Sequence, residues 1–102
     1  EFVLHEICFF PMTKAALSAL AKGITADYAA QGIRANVVLS GGADTDMAGN
    51  TEQKAWAAGL HAVKRIAQPE EIASVIAFLA SPAAGFVTGA SLFADGGNAS
   101  VK

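Results

Sequence analysis

The stretch Gly32-Ile33-Arg34-Ala35-Asn36-Val37-Val38-Leu39-Ser40-Gly41-Gly42 decides how the rest of this chain is read. Residues 33–39 hold the nearly continuous apolar run Ala35, Val37, Val38 and Leu39, with Asn36 set inside it. A strand with one wet face alternates apolar and polar residues, whereas an unbroken run is the pattern of a strand covered on both faces, and such strands belong to parallel sheets. Ser40, Gly41 and Gly42 then end the run. A small-residue turn at the carboxyl edge of a parallel strand is where open α/β folds place ligands, although a Gly-Gly pair also serves as a plain turn.

Upstream, residues 12–31 are mostly strong helix formers without an internal proline, and Gly32 follows as a natural stop, so this segment is expected to be a helix. At 100° per residue, Leu17, Leu20, Ile24 and Tyr28 share a face expected to meet the sheet. Ala15, Ala19, Gly23, Ala26 and Ala30 gather away from it, and Lys14, Ser18, Lys22 and Thr25 form a polar stripe between. The small-residue face either admits a second helix at close range or simply raises helix propensity on a wet surface. Residues 1–10, apolar and rich in Phe and Ile, are expected to form a strand or packed arm.

Downstream, residues 50–65 mix Trp56, Leu60 and Val63 with Gln, Lys and His, as a short helix over a cleft or on the surface would. A second firm helix starts at Pro69, with Glu70 and Glu71 where carboxylates complement the positive helix end. Its expected buried stripe is Ile72, Val75, Ile76 and Leu79, and it stops before Pro82. Residues 91–94 read as a strand and Asp95-Gly96-Gly97 as a turn. Two parallel strands joined through a helix make a right-handed βαβ crossover. The fold class is therefore α/β, ordered helix-strand-loop/helix-helix-strand, with two core strands.

Composition narrows the function. A chain of 102 residues is one small domain, 53% apolar and 16% charged, and it buries roughly two thirds of its unfolded surface. Some of that apolar surface is expected to find a partner, and the exposed sheet edges favour a homodimer or higher homo-oligomer. The net charge of −2 comes with no basic stripe, which argues against nucleic acid. Cys8 alone excludes an internal disulfide, and Cys8 with His5 and His61 is too little for a zinc site, so no metal is expected and all three read as ordinary packing or surface residues. No apolar run approaches the ~20 residues that cross a bilayer, and no secretory signal is visible, so a soluble cytoplasmic protein with no membrane partner is expected.

In order and spacing, the segments together resemble the short-chain dehydrogenases/reductases. The resemblance is carried by Met12-Thr13-Lys14-Ala15-Ala16-Leu17, by Gly32 to Val38, by the loop Ser40-Gly41-Gly42-Ala43-Asp44-Thr45-Asp46-Met47, by Gln68-Pro69-Glu70-Glu71-Ile72-Ala73, and by Val87-Thr88-Gly89 leading to Asp95-Gly96-Gly97. It covers residues 11–98 and marks 11–102 as the C-terminal segment of such a protein, with 1–10 as an unmatched N-terminal arm. The resemblance implies a Rossmann-like doubly wound parallel sheet and a cofactor, NAD or NADP. It implies that Lys14 holds the ribose hydroxyls and lowers the pKa of a catalytic tyrosine, and that Gly41, Gly42, Ala43, Thr45 and Met47 hold the nicotinamide carboxamide and a nearby phosphate. Thr45 would serve equally as a turn residue.

Two departures matter. The family tyrosine stands four positions before its lysine, and there this chain has Phe10, which carries no exchangeable proton. Ser40 stands where the family usually has proline, which leaves the loop less preorganised. No GxGxxG-like turn lies between a strand and a helix in this sequence. The expectation is a piece of an NAD(P)-dependent alcohol/carbonyl oxidoreductase, cut or read in another frame before Pro11, inactive alone and binding the cofactor by itself with millimolar affinity or not at all. The alternative is a noncatalytic self-associating module derived from such an enzyme.

Overall fold

A computed structural model describes the backbone of residues 2–101 and the side chains of residues 13–101. The elements in chain order are α1 (Phe2–Tyr28), β1 (Val37–Ser40), α2 (Thr51–Leu60), α3 (Pro69–Ala80) and β2 (Ser91–Ala94). Short 3-10 turns lie at Ala29–Gln31, Asp46–Ala48, Pro82–Ala84 and Ala99–Val101. β1 and β2 form a two-stranded sheet. It is parallel: the Val37 N–H donates to Ala90 O at 2.9 Å and the Gly41 N–H to Ala94 O at 3.1 Å, so both chains advance together. The order and class of elements match the α/β expectation.

The chain divides into two compact units, Glu1–Val37 with Gly85–Ser91, and Val38–Ala84 with Leu92–Lys102. In the first, α1 runs back to Phe2, so residues 2–10 are helical and not the expected strand. Nucleating a helix costs more than extending one, so residues of weak local preference join a helix already started by their neighbours. Its end is as expected: Gly32 takes the left-handed conformation at φ 82° and donates its N–H to Ala29 O at 3.0 Å.

The inward face of α1 is not the expected one. Leu17, Leu20 and Tyr28 are exposed and Ile24 is half-buried, while Ala21 is buried. Ser18 and Thr25, expected on a polar stripe, turn inward: Ser91 Oγ donates to Ser18 Oγ at 3.0 Å, and the Thr25 and Thr88 hydroxyls pair at 2.8 Å. Residues 18, 21 and 25 share one helix face. That face is small and polar because the facing backbone lies close; a Cβ on Gly89 would already be 3.3 Å from Thr25 Oγ1.

The strand begins later than residue 33. Ahead of it, the Asn36 amide nitrogen donates to Val87 O at 3.0 Å and its oxygen accepts from Ala90 N–H at 3.0 Å, so a side chain does the pairing of a strand backbone. Arg34 Nη1 also donates to Val87 O, at 3.1 Å.

In the second unit, the chain leaving β1 is fastened by an isolated parallel bridge between Ala43 and Ala67. Asp44 N–H donates to Ala67 O and Ala67 N–H to Gly42 O, each at 2.8 Å. Asn50 caps α2 reciprocally with Gln53, the two bonds being 2.8 and 2.9 Å. The helix stops at Leu60, five residues short of the expected 65: His61 is already extended, at φ −89° and ψ 145°, and the chain then turns through Lys64 at φ 57°. α3 starts at Pro69 as expected, and Glu71 accepts the Gln68 N–H at 3.0 Å. Leu79 is buried and Ile72 and Val75 half-buried, but Ile76 is exposed, so the stripe is narrower than expected. Among the described residues, no helix is long and apolar enough to cross a membrane.

Candidate functional site

At the carboxyl end of β1, Gly41 and Gly42 meet the turn that follows β2, Asp95-Gly96-Gly97, within the second unit. The Asp95 carboxylate shapes that turn by accepting the Gly97 N–H at 3.1 Å and the Ala99 N–H at 2.9 Å. Gly96 and Gly97 both have positive φ, 55° and 82°, which favours glycine. A cavity of about 310 Å³ opens here, walled by the glycines, by Phe93 of β2 and by Ile72 and Val75 of α3.

The imidazole of His61, only 3% exposed, fills the space between the two glycine turns. Its Nε2 lies 3.0 Å from the Gly42 nitrogen and its Nδ1 2.8 Å from Ala57 O. A backbone N–H only donates and a carbonyl only accepts, so these partners assign the ring proton to Nδ1. A Cβ at Gly41 would lie 2.5 Å from Nε2 and 2.9 Å from the Asp95 Cα. The glycine here answers a close approach and not an unusual φ.

Arg65 and Glu71 form a two-pronged pair beside the cavity, Nη1–Oε1 2.7 Å and Nη2–Oε2 2.9 Å. The Arg65 hydrogen bonds, with the Gln68 N–H, hold the Glu71 carboxyl down to about 2, and the Glu71 hydrogen bond and charge raise Arg65 in turn. The pair brings no net charge to the cavity at neutral pH.

The structure gathers Gly41, Gly42, Ala43, Thr45 and Met47 in one loop. Thr45 precedes the Asp46–Ala48 turn and makes no side-chain capping bond, and Met47 is 97% exposed. Lys14 sits on an exposed turn of α1, in the other unit. Phe10 is in the α1 backbone, and its side chain, like those of His5 and Cys8, lies outside the described residues. His61 reads from sequence as ordinary packing, and nothing in its distance of nineteen residues from Gly42 marks it as the partner of that turn.

Comparison with known proteins adds to this geometry. The family model described as enoyl-(acyl carrier protein) reductase matches residues 4–99. The chain is 43% identical over 94 residues to cis-4-hydroxycyclohexanecarboxylate dehydrogenase of Sinomonas cyclohexanicum, covering 90% of this chain and 38% of that protein. A short chain dehydrogenase family protein from Francisella tularensis superposes with a TM-score of 0.79 at 32% identity, over 87% of this chain and 42% of that one. A blue fluorescent protein from a metagenomic library, solved with NADPH, gives 0.76 at 39% identity, over 83% of this chain and 35% of that one. The chain thus spans less than half the length of these relatives.

Proposed function

Because this chain belongs to the short-chain dehydrogenase/reductase family, we propose that its residues supply the lysine and the nicotinamide-side loop of an NAD(P)-dependent alcohol/carbonyl oxidoreductase. The observation that carries this reading is the loop after β1. It stands at the carboxyl end of a parallel strand, is fastened at Ala43 by the bridge to Ala67, and leaves Thr45 and Met47 exposed. This fits the nicotinamide end of a dinucleotide. When bound, the cofactor supplies the hydride acceptor or donor. Thr45 and the backbone at Ala43 and Met47 would orient its carboxamide, and the Lys14 ammonium would hold ribose hydroxyls.

Phe10 has no proton to give or take, and losing a positioned acid typically costs ~10²–10⁴ in rate. The 102 residues by themselves are therefore expected to be inactive. The test is a titration of the ¹⁵N-labelled chain with NAD⁺ and NADP⁺. Amide shifts at Thr45 and Met47 with millimolar dissociation constants are expected; no shift there at about 10 mM would discard the loop assignment. Alcohol oxidation by the pure chain at an ordinary enzyme rate would overturn the argument from Phe10.

A second reading, a noncatalytic self-associating module, rests on Leu17, Leu20 and Tyr28, which are 47%, 57% and 45% exposed on α1. Large apolar side chains on one helix favour pairing with another copy. Light scattering is expected to show a dimer or larger species at micromolar concentration, and a stable monomer would rule this reading out.

A further inference from the structure

We propose that His61 is the positioning residue of the Gly41–Gly42 turn, and that it couples the last turn of α2 to the loop running on to Met47. The ring makes one bond in each direction: the Gly42 N–H donates to Nε2, and Nδ1–H donates to Ala57 O inside α2. A shift of α2 therefore either moves the glycine turn or breaks one of these bonds. The same ring explains residues far apart in sequence. A Cβ at Gly42 would lie 3.3 Å from His61 Cε1, and one at Gly96 would lie 3.5 Å from His61 Cδ2 and 2.7 Å from Val63 Cγ2. The two glycine pairs thus form a socket for His61 and its neighbours, and this socket is filled by the chain itself before any ligand arrives.

Histidine suits the place because it is flat enough to enter between two glycine turns and carries a donor and an acceptor at opposite edges. A part-buried N–H at Gly42 left without an acceptor is costly, so an apolar ring of similar size should release the turn. The consequence for a dinucleotide rests on the proposed reading of residues 41–47; the positioning itself does not.

Three measurements on the full chain test this. Ring ¹⁵N shifts should show the proton on Nδ1, and a proton on Nε2 at neutral pH would overturn the assignment. In His61→Phe, the Gly42 amide should exchange with solvent roughly 10–100-fold faster, and in His61→Gln, which keeps an acceptor near the Nε2 position, within about threefold of the parent. The Gly89 amide, which donates to Ala35 O at 2.7 Å in the other unit, is the reference and should not change. An unchanged Gly42 in His61→Phe, or equal acceleration at Gly42 and Gly89, would reduce His61 to a space-filling residue. If His61→Phe does not fold, the ring tautomer and the Gly42 exchange rate in His61→Gln decide. The third measurement is the NADP⁺ titration: shifts at Thr45 lost in His61→Phe and kept in His61→Gln are expected, and their persistence in His61→Phe would sink the coupling. No shift even in the parent chain would instead reject the family reading of the loop, leaving the first two results to judge His61.

Discussion

The hydroxyl oxygens of Thr25 and Thr88 lie 2.8 Å apart, and Thr88 Oγ1 also takes the Ala35 N–H at 3.1 Å. Since Thr88 Oγ1 accepts from a backbone donor, one threonine side chain ties α1 to the segment entering β1. Thr88→Val keeps the shape and removes both bonds, leaving the Ala35 N–H without its acceptor. A loss of about 1–3 kcal/mol in urea denaturation is expected, with Thr88→Ser recovering much of it.

Glycines at two positions should respond with opposite sign. At Gly41 a methyl group meets His61 Nε2 at 2.5 Å and the Asp95 backbone, so Gly41→Ala should cost about 1–3 kcal/mol. At Gly23, inside α1, nothing lies within 4 Å of a Cβ, and Gly23→Ala should stabilise by about 0.5–1 kcal/mol through helix propensity. Thermal unfolding of the two variants checks both.

Lys64 holds φ 57°, where a side chain is strained, and gains one exposed bond from Nζ to Gly59 O at 3.1 Å. Relief of the strain outweighs that bond, so Lys64→Gly should stabilise by about 0.5–1 kcal/mol, measured by the denaturation midpoint at unchanged slope.

Glu71 links protonation to stability with a definite sign. Its carboxyl is lowered from 4.5 to about 2, first by the Arg65 hydrogen bond and then by the Gln68 N–H. Between these values the unfolded chain binds the proton that the folded chain does not, so the contribution of this group is full above about 4.5, fades as the pH falls, and is gone below about 2. A carboxyl ¹³C titration of Glu71 should show its midpoint well below the usual carboxylate range, and Arg65→Gln should move it upward. An Arg65→Gln midpoint equal to that of the parent chain would remove Arg65 as the main cause.

Much of the local structure was legible in the residues. Pro69 with Glu70 and Glu71 marks the start of α3 and Gly32 ends the first helix, because caps and stops act over four or five neighbouring residues. The strand at Ser91–Ala94 and the turn after it were equally plain, as was the loop carrying Gly41 to Met47. Residues 2–10 are helical where a strand or packed arm is expected, because an apolar run without clear period suits either state and these residues continue the helix beside them.

Which face of α1 turns inward, and what Gly41 and Gly42 are for, lay outside the reach of the sequence. Periodicity names the residues that share a helix face, but only the close backbone at Gly89 selects the Ser18, Ala21 and Thr25 face over the leucines. In the same way, Gly-Gly after a strand announces a turn, while its reason, a buried imidazole nineteen positions away, is a contact between segments. Short-range chemistry is written along the chain; the occupant of a space between two turns is decided when folding brings distant atoms within bonding distance.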